Sequence, residues 1–166
     1  MTPVGTWRAL DAAAVADLMT KLRECRWDWS TAELPQLAGR LGWTISVTVE
    51  GKGAFADTPW NLGDRTVRFT FKNDHVDLVR VRLTDQVMPE TSQSREFMQD
   101  TFAALVQVGS DTLGEPTGRI LGDNPQVRWR GEDTTIAVMN TGVAVSLTWA
   151  TNDDQDHWDQ IRGISP

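Results

Sequence analysis

The sequence predicts an α+β fold: an antiparallel sheet of about six strands with helices packed on one face. Three observations carry this. Segments whose apolar residues recur every second position follow segments whose apolar residues recur at helical spacing. The strand-like segments are separated by short polar turns, which is hairpin spacing and implies antiparallel pairing. Each is apolar on one phase only, so one face of the sheet should be covered by helices and the other wet.

The elements are expected in the order α-α-β-β-β-α-β-β-β. Asp11 is a fair N-cap for a first helix running to about Cys25, with Val15, Leu18, Met19 and Leu22 on one apolar face. Ser30-Thr31-Ala32-Glu33 reads as a capping box, with Ser30 as cap and Glu33 reaching back. It opens a short helix carrying Leu34, Leu37 and Leu41, which Gly42 ends. Pro35 is tolerated in the first turn, where its missing N–H has no helical partner. Trp43, Ile45, Val47 and Val49 alternate with polar residues as a strand. The stretch 51–64, with three glycines and a proline, reads as a long loop or a loop holding a short strand.

Val67, Phe69 and Phe71 form a second strand, Asn73-Asp74 a turn, and His75 to Leu83 a third strand. The alternation of that third strand slips at Leu78-Val79, which suggests a bulge. Pro89 to Ser94 reads as a helix entry. The helix Gln93–Leu113 should pack on the sheet face bearing Phe69, Phe71, Trp129, Ile136 and Val145, and Gly114 and Pro116 stop it. Arg119 to Pro125 reads as a loop. Gln126–Arg130, Asp133–Met139 and Gly142–Trp149 are the last three strands, with Val127, Thr134, Val138, Val143, Leu147 and Trp149 also on the inner phase. The acidic tail from Thr151 is expected to make one short helical turn around His157-Trp158.

A chain of 166 residues suits one domain, here 1–166 with an acidic C-terminal tail at 151–166. At this length folding buries roughly 70% of the surface the unfolded chain exposes, so neither disulfides nor metals are needed. With 40% hydrophobic and 23% charged residues the composition is that of a globular protein. The net charge of −7 disfavours non-specific binding to nucleic acid or to an anionic membrane, and suits solubility or a basic partner. One cysteine, Cys25, permits no internal disulfide and fits a reducing cytosol. No apolar run reaches membrane-spanning length. Residues 1–22 lack a basic region followed by an apolar stretch, which argues against a cleaved signal peptide. The expected location is the cytoplasm. Eight Trp, five Phe and no Tyr make the aromatic usage uneven, and core packing accounts for most of the indoles.

Little in the sequence points to catalysis. Asp74-His75 and Asp156-His157 are adjacent pairs, but neighbours on a strand point to opposite faces, so Asp74 is not placed to orient His75. They read as a turn histidine and a tail histidine. Asn152-Asp153-Asp154-Gln155-Asp156 lacks the glycine and distal glutamate of a calcium loop and reads as a solvated charged tail. Dinucleotide, P-loop, zincin and nucleophile-elbow motifs are absent. The expectation is a protein with no enzymatic activity, no cofactor and no metal, although 23 acidic residues leave room for a carboxylate pair that no motif announces.

The one constellation that stands out is electrostatic. Residues 65–82 hold five basic and two acidic residues, whereas 83–125 hold seven acids and two basics. Arg68, Arg80, Arg82, Arg128 and Arg130 occupy strand positions opposite the apolar phase and should stand on the uncovered face of the sheet. Ordinary cross-strand pairing with Asp77, Glu132 and Asp133 competes with a binding role. Trp60, in a Gly/Pro loop, is a candidate anchor beside the arginines. The Asp153–Asp159 tail is the alternative contact, for a basic partner.

Trp7, Trp27-x-Trp29, Leu34-Pro35-x-Leu37 with Leu41-Gly42-Trp43, Gly114-Glu115-Pro116-Thr117, Val127-Arg128-Trp129-Arg130-Gly131 and Thr134-Thr135 together resemble an uncharacterised actinobacterial domain family of small acidic proteins. The likeness spans nearly the whole chain, through packing and turn residues and no catalytic motif. Proteins of this kind resemble immunity proteins of polymorphic toxin systems, which implies a binding module that neutralises a cognate toxin by covering it. A secretion-chaperone-like protein binding an exported substrate, with a possible homodimer, is the second expectation. A small-molecule binder or enzyme using the 51–64 loop as a lid is the third.

Overall fold

The computed structural model describes residues 7–88 and 90–164. Pro89, read above as part of a helix entry, lies outside the described residues, as do residues 1–6 of the segment tested for a signal peptide and the last two residues of the tail.

Helix α1 spans Ala12–Glu24, and Asp11 caps it by accepting from the Ala14 N–H at 2.8 Å. Its buried residues are Val15, Leu18, Met19 and Leu22, the predicted face. Helix α2 spans Leu34–Leu41 and closes on Gly42 at φ +75°, a left-handed position that glycine adopts without strain. Its entry corrects the capping-box reading. Ser30 Oγ does accept from the Glu33 N–H at 3.1 Å, but the Glu33 carboxylate accepts from the Asp28 N–H, and the Ser30 N–H is taken by Asp28 Oδ1 at 2.8 Å. The hydrogen bonds close a tight turn over 30–33, and the helix begins one turn later. Gly39 is exposed in α2, with nothing within 4 Å of an added Cβ. Gly39→Ala is therefore expected to raise unfolding stability by about 0.5–1 kcal/mol, measured by urea titration, because only the unfolded chain loses freedom.

The sheet has eight strands, two more than the sequence predicts: β1 Thr44–Val49, β2 Gly53–Asp57, β3 Val67–Lys72, β4 His75–Arg82, β5 Gly118–Ile120, β6 Gln126–Arg130, β7 Thr134–Asn140 and β8 Val145–Thr151. The two additions are β2, inside the segment read as a loop or a loop with a short strand, and β5, inside the segment read as a loop. β2 alternates through small residues, and β5 is three residues long at an edge, so neither gives a strong period-two signal. Helix α3, Ser92–Leu113, joins the two halves, and its Thr91 and Ser94 form a reciprocal capping box. Helix α4, Asn152–Arg162, follows β8 where one turn of helix was expected.

The strand order is β1-β2-β3-β4-β8-β7-β6-β5, and every pairing is antiparallel. Two four-stranded meanders thus meet where β4 pairs with β8. Asn73, at φ +58°, makes the tight β3–β4 turn. A bulge is present, displaced from the expected Leu78-Val79 to Asp77: Thr70 pairs with Leu78 and Phe71 with Val76, leaving Asp77 without a register partner. Val143, expected on the inner phase, is exposed, because the 141–144 turn, with Gly142 at φ +88°, delays the strand to Val145.

One inner row of register partners runs Ala54, Phe69, Val79, Trp149, Ile136, Trp129. This row, α1, α2 and α3 share one hydrophobic core. Trp129 meets α3 at Gly109, Phe69 meets Trp43 at the end of α2 at 6.0 Å, and Trp149 clusters with Trp29 and Trp27, its ring centroid 4.5 and 6.1 Å from theirs. α3 packs on the expected face, over the half that bears Trp129, Ile136 and Val145, whereas Phe69 in the other half meets Trp43. The expectation that all helices lie on one face is corrected: α4 packs on the other.

Candidate functional site

Alternation puts the second row on the outer face. It runs Val47, Phe55, Arg68, Arg80, Thr148, Ala137, Arg128, Gly118, one residue from every strand. Arg82 lies in the next row, opposite Ser146, and Arg130 in another, opposite Thr135. The five arginines singled out from the sequence therefore do share a face. They do not share an environment, because α4 lies over part of that face.

α4 is docked by polar contacts. Only Gln155 and Asp159 are fully buried along it. Arg128 donates Nη1 and Nη2 to the two carboxylate oxygens of Asp159, both at 2.7 Å, and its Nε–H to Gln126. Gln155 Nε2 donates to Asp159 at 3.1 Å. Arg128 is 9% and Asp159 3% exposed, so this is a buried, bidentate ion pair with satisfied neighbours. Arg130 grips Asp156 bidentately at 2.7 and 3.1 Å, half exposed. Asn152 donates to the carbonyls of Gly131 and Glu132, and Trp158 Nε1 to that of Asp77. The expectation of an open arginine face is corrected for Arg128 and Arg130, which are structural anchors of α4.

The other three differ. Arg82 is half-buried and donates to the backbone carbonyls of Thr84 and Asp64. Arg80 is half-buried at the margin of α4, and Arg68 is exposed. Among the described residues, no carboxylate lies within ion-pair distance of Arg68 or Arg80. Trp60 is not an exposed anchor: it is partly buried and packs against the core.

Among the described residues, α4 leaves the outer face of β1–β3 uncovered. Phe55 sits there half-buried, with the Arg65 guanidinium 5.3 Å from its ring centroid. Arg65 occupies a left-handed backbone position, φ +54°, unusual for a non-glycine residue. The Asp57 carboxylate holds it there by accepting the Arg65 N–H at 2.7 Å. Lys52 and Arg68, both exposed, flank the ring, and Lys72 is exposed at the far end of β3. A shallow depression of about 130 Å³ between Val49, Lys52, Phe55, Arg68 and Thr70 completes the patch. On a chain of net charge −7 this is a concentrated basic surface with an aromatic floor. Sequence reasoning found Arg68 and missed Phe55 and Arg65, because the 51–64 stretch was not resolved into a strand and a turn.

The residues weighed for chemistry fall apart in space. His75 is oriented by Asp154, 79 positions away, through Nε2 to Oδ2 at 2.7 Å. Thr151 caps α4 by accepting from the Asp154 N–H, and its hydroxyl donates to the same carboxylate oxygen of Asp154 at 2.9 Å. His157 is exposed. Cys25 is half-buried, and burial pushes its thiol up despite Arg40 and Arg26 nearby, which keeps it protonated and weakly nucleophilic. The acidic run 152–156 forms the first turn of α4. Among the described residues, no three His, Cys, Asp or Glu side chains gather as a metal site, and no helix is long and apolar enough to cross a membrane.

The family model described as "Family of unknown function (DUF6301)" matches residues 13–151, and the chain belongs to that family. The match takes in the whole sheet. No curated protein matches the sequence. Among solved structures, the chain is similar to the crystal structure of a DUF4309 family protein (YjgB) from Bacillus subtilis, with 12% identity, a TM-score of 0.48, and coverage of 85% of this chain and 97% of that one.

Proposed function

We propose that this member of a family of unknown function is a non-catalytic protein-binding module, an immunity-type protein that acts in the cytoplasm by covering a cognate toxin. The observation that carries the reading is the bare outer face of β1–β3. Phe55 provides an aromatic floor, Arg65 is fixed over it by a strained backbone position, and Arg68 and Lys52 flank it with, among the described residues, no carboxylate in ion-pair reach. Strain held at a surface residue is characteristic of sites that present a side chain to a partner. Arginine and aromatic residues are enriched at the centres of interfaces, and guanidinium groups suit an acidic partner surface. A small sheet covered on one side by helices offers the rigid platform that such binding needs, with about 800 Å² per partner as the usual scale.

The test is co-expression with the protein encoded beside it. The wild type is expected to bind that protein and restore growth where it is toxic. Arg65→Glu/Arg68→Glu is expected to slow association about tenfold or more and to weaken its salt dependence. Normal association by that variant, with loss on replacing Asp153, Asp154 and Asp156, would move the contact to α4 and overturn the assignment of the face. A neighbour that is an exported protein with no toxicity would favour the secretion-chaperone reading instead.

A further inference from the structure

A second feature of the outer face is independent of the protein-binding reading. Arg80 stands in the row between Arg68 and Thr148, at the margin of α4. Its Nε–H is out of contact with solvent and, among the described residues, has no acceptor. Burial chiefly, and then two charged neighbours of its own sign, Arg162 from the last turn of α4 and Arg68, lower its pKa from the usual value. A guanidinium stays cationic under such conditions. A half-buried guanidinium with an unpaired, inaccessible Nε–H and like-charged neighbours costs stability in the empty protein. Such costs persist where a ligand removes them.

Arg80 and Arg162 line the same cavity, of about 340 Å³, at the end of the sheet. Its other walls are the aliphatic side chains of Ile120, Met139 and Ile164, with Asn124, Gln126 and Thr141 supplying polar groups. Arg162 is stacked on Trp158, 5.5 Å from the ring, which limits its freedom. Among the described residues, neither arginine has a carboxylate within ion-pair distance. The other outer-face arginines, by contrast, are satisfied where they are buried: Arg128 by Asp159, and Arg82 by backbone carbonyls.

We propose that Arg80 and Arg162 form an oxyanion site for a small organic anion whose charged group lies between the two guanidiniums and whose short apolar part rests on Ile120, Met139 and Ile164. Guanidinium donors bind carboxylate and phosphate oxygens alike, and the aliphatic walls favour a ligand with a few carbons over a bare ion.

Titration calorimetry of the full chain at constant ionic strength tests this with inorganic phosphate, acetate and hexanoate as probes. At least one of phosphate and hexanoate is expected to bind in the millimolar range or tighter, and hexanoate more tightly than acetate. Phosphate alone would mark the phosphoryl group as the recognised chemistry, and hexanoate alone the carboxylate. Arg80→Met, which keeps the aliphatic stem, is expected to weaken binding about tenfold or more, as is Arg162→Gln. Arg95→Gln, on the far helix, should change nothing. Should Arg80→Met fail to fold, Arg162→Gln alters an exposed side chain and carries the test alone. Absence of binding by phosphate and hexanoate, or unchanged binding in both variants, overturns the proposal. Because Arg65 and Phe55 do not line this cavity, Arg65→Glu should leave probe binding intact whatever it does to a protein partner.

Discussion

Arg128→Met is expected to lower the unfolding free energy by about 3–5 kcal/mol, because it strands the buried Asp159 carboxylate with Gln155 as its remaining side-chain donor. The pair itself need not be a strong net contributor, since burying two charges offsets much of their attraction. Removing both should therefore restore most of the loss: Arg128→Met/Asp159→Leu is expected within about 1 kcal/mol of the wild type or above it. Arg130→Gln breaks an ion pair that is half exposed on both sides, and should cost about 1 kcal/mol or less. Its pH signature has a definite sign. The hydrogen bond from Arg130 holds the Asp156 carboxyl below its usual range. That contribution is complete above the unfolded value of about 3.9 and is lost as pH falls through the lower folded value, so Arg130→Gln should flatten the acid limb of the stability profile. Urea unfolding followed by tryptophan emission measures all three variants. If Arg128→Met unfolds at the wild-type midpoint, α4 is not part of the cooperative fold and the outer face is open after all.

The helix that this ion pair holds shows where sequence reading stops. The first helix, the long central helix and six of the eight strands follow from apolar spacing, because each buries a face made of apolar side chains. α4 buries Gln155 and Asp159, and its partners are Arg128 and Arg130 some 26 to 31 positions away. No hydrophobic period marks such a helix. Its ends were nonetheless written locally: Thr151-x-x-Asp154 is a capping signal, and Gly163, at φ +69°, is a left-handed stop. Reading the tail for caps and not only for apolar residues would have extended one turn to three and covered half of the arginine face. The same alternation that correctly put five arginines on one side could not say which were paired, since pairing depends on what packs above the sheet. His75 is a similar case: sequence offers Asp74 beside it, and the fold supplies Asp154. The candidate face on β1–β3 was half visible. Arg68 follows from alternation, whereas Arg65 over Phe55 depends on a left-handed residue held by Asp57, which no periodicity encodes.

Trp129→Ala is expected to cost about 3–5 kcal/mol, and the reason bears on the outer face as much as on the core. Trp129 is 1% exposed and donates Nε1 to the Gly114 carbonyl at 2.9 Å, so its ring is fixed along α3. The ring lies against Gly109, where an added Cβ would stand 2.5 Å from two ring carbons. Gly109 is thus a helix-interior glycine required by close approach. On propensity alone Gly109→Ala should stabilise α3 by up to about 1 kcal/mol. Against the fixed indole it should instead destabilise the protein by about 1–3 kcal/mol, the usual cost of overpacking. In the Trp129→Ala background the same change should become neutral or favourable, a sign reversal that amounts to a coupling of roughly 2 kcal/mol in a double-mutant cycle. Trp129 points inward between Arg128 and Arg130, which point outward to Asp159 and Asp156. A ring pushed from its place moves β6 and, with it, both anchors of α4. Gly109→Ala should therefore also loosen α4, read as faster amide exchange across 152–162 than in Gly39→Ala. If Gly109→Ala proves as benign as Gly39→Ala, in stability and in exchange, then the indole is not seated on α3 and the packing that sets both faces of the sheet is wrong.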